Sequence, residues 1–310
     1  MVRAAMASAQ GSHMNIHIRA ENPHAIDVAF HWIRERERIR IKKERGEQPP
    51  YTDDPILRDW RFCNVRREDD RVTRWIAANI RRPFSHHPAL WFMLGIGRWI
   101  NWPDTLAALI ASETAWPSSP AFSCVALGEA LQTRMDSGEK TFGGAYKIDA
   151  PKTKGQSKAA YVAEDVLAPL WDDSDRFARH FAQKPSLRET HYLIKNRYAH
   201  WGHFMTYQAV VDMRFTPLLR RAPDVRTWCA AGPGTMRGLN RLASRAVNRV
   251  LDQHVALREL TGLYERIELE TGVSVDLSDV PNICCEVDKY LRVTNGEGTT
   301  RAKYVPGRGC

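Results

Sequence analysis

The chain has 310 residues, of which 43% are hydrophobic and 26% are charged, and these fractions are those of an ordinary globular protein. They exclude a disordered chain, a collagen-like chain and a small disulfide-bonded scaffold. Lysine and arginine outnumber aspartate and glutamate by 45 to 36, and this surplus of positive charge favours a polyanionic partner such as nucleic acid.

The start of the chain and its cysteines bear on where the protein works. Gly11–Met14 has the form of a vector-derived junction, so we expect residues 1–13 to be an expression tag and 14–310 to be the domain. The six cysteines form no CxxC pair, which favours reduced thiols and no zinc site. The longest apolar stretch, 91–102, is 12 residues long, whereas a membrane-spanning helix needs about 20. We therefore expect a soluble protein of the cytoplasm.

The predicted elements, in chain order, are almost all helices. An arginine-rich helix is predicted over 25–45, and its charged part from Arg34 onward is interpreted as a solvated face with internal ion pairs. A short helix follows, opened by Pro55 and capped by Thr52 or Asp53. Further helices are predicted over 69–81, 88–101, 103–112, 119–135, 162–182, 186–195, 200–213, 236–254, 256–270 and 279–291.

One stretch interrupts this helical pattern. Residues 138–160 are rich in glycine and lysine and predict a loop or a short hairpin. The sequence shows no internal repeat and no clear linker. The fold class is therefore predicted to be all-α, with one helical domain that is either undivided or arranged as two lobes.

The clearest signal for nucleic-acid binding lies between Arg214 and Arg249. This stretch holds eight arginines and the single acid Asp224. Gly232 and Gly234 flank a proline, a turn that lets a backbone adopt positive φ and approach a partner closely, and the helix start that follows presents free N–H groups to a phosphate. Four arginines then recur at every fourth position of the predicted helix and are expected to form one ridge that holds phosphates: Arg237, Arg241, Arg245 and Arg249. The alternative is an ordinary solvated basic face.

A second stretch could carry chemistry. On a helix, Cys285 and Lys289 are four residues apart and Glu286 and Lys289 three apart, so a thiol, a carboxylate and an ammonium can share one face. Such a group can supply an acid, a base and a nucleophile. The alternative is a surface ion pair beside buried cysteines. Asp212, in an otherwise apolar helix, either completes a buried network or serves a site.

Several enzyme classes lack their motifs in this sequence. There is no GxxxxGK[ST] phosphate loop, no GxGxxG between a strand and a helix, no GxSxG and no HxE…PCxxC. The sequence given is therefore not expected to act as a P-loop kinase, a dinucleotide-dependent enzyme, an α/β-hydrolase or a zinc deaminase.

Six motifs occur in order along the chain. They are Tyr51–Leu57, Arg61–Thr73, Phe142–Tyr146, Gly202–Gln208 with Asp212, Gly232–Gly238 and Cys285–Tyr290. With these motifs the chain resembles the α-glutamyl/putrescinyl-thymine pyrophosphorylases, a family that includes the phage amino acid:DNA transferases and the helical domain of 5-hydroxymethyl-deoxyuridine DNA kinases. The resemblance spans about residues 26–292, and Val287 and His203 depart from the usual residues of its motifs.

The resemblance implies a fold, a reaction and a set of partners. The fold would be similar to the helix-hairpin-helix DNA glycosylases, with the Gly/Lys-rich stretch as a small insertion. Because the chain lacks a phosphate loop, the transferase branch is favoured: an amino acid or polyamine would replace the phosphate or pyrophosphate on the 5-methylene carbon of a modified thymine in double-stranded phage DNA. Neither a cofactor nor a metal is implied. The protein would work in the cytoplasm of an infected bacterium and could associate with other phage modification enzymes.

Residue roles follow from the matched motifs and the chemistry. Glu286 or Asp212 would act as the base, Lys289 or Arg67 would bind the leaving phosphate, and Cys285 or Cys284 could add to carbon 6 of a flipped-out base, although direct displacement without a thiol stays open. The residues expected to bind substrate are Asn64, Arg67, Asp70 and Gln208, and those expected to bind DNA are Gly232, Gly234, Arg237, Arg241 and Arg245.

Two other functions remain open at this point. The chain could be a glycosylase-like enzyme that excises a modified base. It could instead be a non-catalytic DNA-binding partner of a 5-hydroxymethyl-deoxyuridine DNA kinase.

Overall fold

The computed structural model describes residues 21–146, 148, 155–298 and 303–304. The expected tag, Cys310 and most of the stretch 147–154 lie outside these residues. Within them there is no β-strand, only an isolated antiparallel bridge between Trp60 and Lys303. The all-α prediction is confirmed for the described chain, while the likeness to DNA glycosylases and the division into lobes stay predictions.

The helices of the first half begin and end at local signals. Helix α1 is capped by Asn22, and Asp70 caps α3, which continues through a wide π turn over Ala77–Arg81. A 3-10 turn over Arg67–Asp69 precedes α3. The six helices are α1 (Pro23–Glu44), α2 (Pro55–Asp59), α3 (Arg71–Ile76), α4 (Leu90–Ile100), α5 (Pro103–Ile110) and α6 (Cys124–Asp136).

The second half contains eight further helices in the described residues. A π turn over Tyr161–Leu167 joins α7 to α8, and a 3-10 turn over Leu277–Asp279 leads into the last helix. Ser186 forms a capping box with Glu189 at the start of α10. The helices are α7 (Lys158–Ala160), α8 (Ala168–Asp172), α9 (Ser174–Ala182), α10 (Leu187–Arg197), α11 (His203–Arg214), α12 (Pro233–Leu242), α13 (Gln253–Thr271) and α14 (Val280–Thr294).

The core is organised around α4, whose eleven residues are all buried. Arg98 is the single charged residue among them, and α11 packs against this helix. The apolar run that is too short for a membrane span is therefore the central core helix. No helix in the described part of the chain is long and apolar enough to cross a bilayer.

Helices α12 and α14 are packed unusually close to one another. A Cβ atom added at Gly238 would overlap the backbone carbonyl of Cys284, and one at Gly234 would overlap the Cys285 sulfur. Glycine at both positions thus lets α14 lie directly on α12. This contact holds Cys285 against the turn that begins α12.

The prediction of one continuous helix over 236–254 is wrong. Helix α12 ends at Leu242, and Ser244 follows with a left-handed φ of 52°. The buried side-chain amide of Asn240 donates to the carbonyls of Val247 and Arg249 at 3.0 and 2.8 Å. These tertiary hydrogen bonds hold the returning loop, and the next helix begins at Gln253.

Two smaller expectations also need correction. The cap of α2 is Asp54, whose carboxylate accepts from the N–H groups of Ile56 and Leu57, so Thr52 and Asp53 are not its cap. The charged half of α1 does form internal ion pairs, Arg40 with Glu37 and Glu44 among them. It is not simply a solvated face, however, because three consecutive residues are buried: Glu35, Arg36 and Glu37.

The glycine- and lysine-rich stretch forms a loop where it is described. Residues 138–146 contain no strand, and the N–H of Gly143 donates to the carbonyl of Ile100 at 2.8 Å. This contact ties the loop to the end of α4 and brings Tyr146 towards α11.

Candidate functional site

Four side chains form a row across one face of α14. Successive residues of a helix are separated by about 100° around its axis, which places Asp288, Cys285, Lys289 and Glu286 in that order. At one end of the row Arg237 of α12 donates to Asp288 at 2.9 Å. At the other end Glu286 contacts the segment before α3. The predicted thiol, carboxylate and ammonium therefore share one helix face, and that face is adjacent to Arg237.

Glu286 is a buried carboxylate with two donors. Only 6% of the residue is exposed, and one oxygen, Oε2, accepts from the backbone N–H of Cys63 at 2.9 Å and from Lys289 Nζ at 3.0 Å. The Lys289 ammonium also lies 4.4 Å from the centre of the Phe62 ring. These contacts satisfy the negative charge while leaving the second oxygen, Oε1, without a described partner.

The thiols near this row are held in their protonated form. Burial raises the pKa of the Cys284 thiol strongly and that of Cys285 to about 11. Cys63 is exposed, and the neighbouring Glu286 carboxylate raises the pKa of its thiol well above the usual value. Since a thiolate is the nucleophilic form of cysteine, none of the three is activated in this state. The five described cysteines are all free of disulfides.

Arg67 and Gln208 form the second part of the site. The Arg67 guanidinium donates to the side-chain oxygen of Gln208 and, at 2.9 Å, to its backbone carbonyl. The Tyr146 hydroxyl lies 3.3 Å from the same side-chain oxygen. The amide is thereby fixed with its oxygen towards Arg67, and no described residue accepts from its nitrogen, Nε2.

Asp212 is enclosed below this pair. None of its surface is exposed, both its oxygens accept from Arg98, and Arg98 also donates to Thr73 Oγ1 at 3.0 Å. Burial alone would raise the pKa of Asp212, but the charges of Arg98 and Arg67 hold it below its usual value. The Arg67 guanidinium is 3.7 Å from Asp212. This carboxylate is therefore placed to orient two arginines, and it does not face solvent.

Two predicted substrate-binding residues have local partners. The Asn64 side chain accepts from Arg36 at 2.7 Å and donates to the Asp69 carbonyl at 2.8 Å. Asp70 accepts from the N–H of Thr73 at 2.9 Å as the cap of α3. Both therefore shape the segment that carries Cys63 and Arg67. Whether they also touch a substrate stays a prediction.

The Gly-Pro-Gly turn does not use positive φ, contrary to the sequence-based expectation. Gly232 has φ −85° and caps α12 without a side-chain hydrogen bond, and Gly234 is not among the described residues with left-handed φ. The turn does lie close to another group, the Cys285 sulfur within the protein, while its approach to DNA stays a prediction.

The expected ridge of four arginines does not form, because α12 ends before its third member. Arg241 donates to Asp288 at 2.8 Å and to Glu297 at 2.5 Å. Arg245 makes two hydrogen bonds of 2.6 Å to Glu259. These two guanidiniums hold the fold together, whereas Arg237, with 37% of its side chain exposed, remains at the surface. Binding of DNA by any of them stays a prediction.

The two parts of the site are connected by a ring of contacts. Cys285 touches the Gly232–Gly234 turn, which meets Phe204 on α11, and the Phe204 ring packs against Tyr146 at 5.5 Å. The Tyr146 hydroxyl contacts Gln208, which accepts a hydrogen bond from Arg67. Four residues before Arg67, the backbone N–H of Cys63 donates to Glu286. The structure thus brings Glu286, Lys289, Cys285, Arg67, Gln208, Gly232, Gly234 and Arg237 around one region, with Asp212 beneath it. We call this set the contact ring.

Sequence reasoning missed three members of this region. Cys63 and Tyr146 stand inside quoted motifs but had no assigned role. Arg98 is the single charge in the apolar run 91–102, and that isolation was the available signal, because a buried charge needs a partner. Within the described residues, no group of three or more His, Cys, Asp and Glu side chains is placed to hold a metal ion.

Comparison with known proteins identifies the family. Residues 23–300 match the helical domain of 5-hmdU DNA kinase. A 5-hmdU DNA kinase of Bacillus phage SP10 is 26% identical over 295 residues, covering 86% of this chain and 44% of that protein. The chain thus spans less than half the length of this relative. No solved structure matches this chain. This chain, which carries the contact ring, belongs to the family of 5-hmdU DNA kinase helical domains.

Proposed function

We propose that this chain modifies thymine-derived bases in phage DNA by transferring an amino acid or a polyamine to 5-(phospho/pyrophospho)methyl-deoxyuridine. The observation that carries the proposal is the pairing of the buried Glu286 with Lys289 at 3.0 Å, beside the Arg67–Gln208 pair. A carboxylate and two cations in one region can supply a base and binding groups for a leaving phosphate.

In the proposed reaction, the amine nitrogen bonds to the 5-methylene carbon of the base. The bond from that carbon to the phosphate oxygen breaks, and the electron pair leaves with the phosphate or pyrophosphate. Glu286 takes the proton that the nitrogen loses. Lys289, which pairs with Glu286, and Arg67, which binds Gln208, stabilise the departing charge in this proposal.

The geometry favours Glu286 over Asp212 as the base. Asp212 has no exposed surface, and both its oxygens are bound by Arg98, whereas Glu286 Oε1 has no described partner. In this proposal Asp212 is a positioning residue that holds Arg67 in place.

The thiols favour direct displacement over a covalent intermediate. Cys284 is fully buried, and the raised pKa of each nearby thiol keeps the thiolate population low at neutral pH. A Cys63→Ala/Cys285→Ala double variant should therefore keep most of its turnover. Loss of transfer, with DNA binding retained, would restore the covalent route.

The direct test is incorporation of a labelled amine. Duplex oligonucleotides that carry 5-phosphomethyl- or 5-pyrophosphomethyl-deoxyuridine are incubated with glycine, glutamate or putrescine, and the nucleosides are then analysed by mass spectrometry. The expected product is an aminated base with phosphate or pyrophosphate released. An abasic product would instead identify a glycosylase.

Glu286→Gln is the matching variant, because it keeps the size of the side chain and removes the base. We expect transfer to fall by about 10²–10⁴-fold with DNA affinity unchanged. The control is Glu297→Gln, since Glu297 is an exposed carboxylate that binds Arg241; its transfer rate should stay within about twofold, which is less than 0.5 kcal/mol.

One observation favours a second candidate function. The chain matches only the helical domain of a kinase and 44% of a whole kinase, which suits a module that delivers DNA to a separate catalytic domain. In that case no amine is incorporated, and Glu286→Gln and Lys289→Ala leave DNA affinity and phosphorylation by the partner kinase unchanged.

A further inference from the structure

An exposed aromatic side chain lies at the edge of the contact ring. Four large hydrophobic residues of the described chain are exposed, and Phe204, with 44% of its surface accessible, is the aromatic one among them. The others are Val125, Val250 and Leu269. An exposed aromatic ring next to polar groups is a common feature of binding surfaces.

The position of Phe204 relates it to the proposed base-binding groups. Phe204 is in the first turn of α11 and Gln208 is four residues later, so both side chains lie on the same face of the helix. Tyr146 contacts both, its ring against Phe204 and its hydroxyl near the Gln208 oxygen. The exposed ring is therefore directly beside the amide whose nitrogen is available to a ligand.

The surface around Phe204 suits a nucleic-acid backbone. Helices α11 and α12 both begin at a glycine with no capping side chain, and a Cβ atom added at Gly232 would lie 3.5 Å from the Phe204 ring. The N–H groups of a first helical turn have no partner within the helix and can bind phosphate, although Pro233 at the start of α12 contributes none. The segments 190–211 and 225–251, which include the starts of α11 and α12, contain no aspartate or glutamate.

We infer that Phe204 enters the DNA duplex and takes the place of the nucleotide that is extruded towards Gln208. This inference rests on the proposed function, because a modified base inside a duplex must leave the stack to react. Extrusion costs a few kcal/mol, and stacking of an aromatic side chain on a neighbouring base offsets a part of that cost. Apolar side chains inserted between base steps act in this way in other proteins that bend DNA.

The test measures DNA binding and base stacking without any chemical step. Fluorescence anisotropy gives the affinity for a fully paired duplex and for one with an abasic site, where the gap is already present. A 2-aminopurine next to that gap reports stacking through quenching of its fluorescence. We expect the wild type to bind the abasic duplex more tightly and to quench the probe.

Phe204→Ala should lose this quenching and bind the abasic duplex about 5- to 150-fold more weakly, the range that corresponds to the loss of one stacked base. Phe204→Trp should keep both properties, because it keeps an aromatic ring. Leu269→Ala, which removes an even more exposed hydrophobic side chain on α13, is the control and should behave as wild type. Thermal unfolding of each variant verifies that it is folded.

The outcomes separate this inference from the proposed function. If Phe204→Ala binds and quenches like wild type, or if the Leu269→Ala control loses as much affinity, the inference about Phe204 is wrong. The proposed transfer function is not contradicted by either result. If the wild type binds no DNA, the proposed function fails and this inference fails with it. If DNA binds and Phe204 matters while no amine is transferred, the inference stands and the DNA-binding module is the better function.

Discussion

The Arg98–Asp212 pair and the Glu286–Lys289 pair are both buried charges, but they differ in what surrounds them. Asp212 has no exposed surface, and both its carboxylate oxygens accept hydrogen bonds from Arg98. Glu286 uses one oxygen for both its donors, and Lys289 is partly exposed. The first arrangement leaves neither carboxylate oxygen available, whereas the second leaves Glu286 Oε1 without a described partner. Chemistry is therefore expected at the second pair and structural support at the first.

The largest expected effect comes from breaking the enclosed pair. Asp212→Asn leaves the Arg98 guanidinium buried without its countercharge, and such changes cost about 3–5 kcal/mol. The free energy of unfolding, measured by urea denaturation, should fall by that amount. Asp59→Asn removes an exposed partner of Arg58 and should cost less than about 1 kcal/mol. Equal losses in the two variants would contradict the comparison.

A smaller effect concerns Asp279, which accepts the Arg67 N–H at 2.8 Å. Burial raises the pKa of Asp279 to about 6, against about 3.9 in an unfolded chain. Between about pH 4 and 6 the folded protein therefore holds a proton on Asp279 that the unfolded chain has lost. The resulting contribution to the free energy of unfolding is fully present below about pH 4 and is lost as the pH rises to about 6. In Asp279→Asn this loss is absent.

The difference in unfolding free energy, variant minus wild type, should therefore increase from pH 4 to pH 7. Asparagine cannot accept from both the Arg67 and Asp276 N–H groups, which adds a constant penalty and does not alter the slope. A flat difference across this range would mean that Asp279 is ionised throughout.

The smallest effect tests the electrostatics of the Glu286–Lys289 pair. Glu286 raises the pKa of the Cys63 thiol and Lys289 lowers it. Glu286→Gln should speed alkylation of Cys63 by iodoacetamide at pH 8 several-fold, because more thiolate is present, and Lys289→Ala should slow it. Peptide mass spectrometry measures the rate at Cys63, with Glu297→Gln as the control. Unchanged rates in both variants would show that Glu286 does not govern this thiol.

Much of the local structure could be predicted because it depends on neighbours in sequence. The amphipathic and apolar runs predict most helices to within a few residues, and the three-residue spacing of Glu286 and Lys289 places them on one face. The end of α12 could not be predicted, since the pattern of arginines at every fourth position continues past Leu242. Asn240 ends the helical pattern through hydrogen bonds to Val247 and Arg249, and those partners are defined only once the loop has folded back.

The sequence by itself determined the helical class, the basic charge and the family motifs, because composition, periodicity and spacing are properties of the linear chain. The tertiary structure decided how each charge is paired and how far it is buried. Arg241 and Arg245 are bound within the protein, Arg237 pairs with Asp288 but stays partly exposed, and Asp212 lies under Arg67. Burial and ion pairing depend on residues distant in sequence, so the same arginine spacing is compatible with a phosphate-binding ridge or with the internal ion pairs found here.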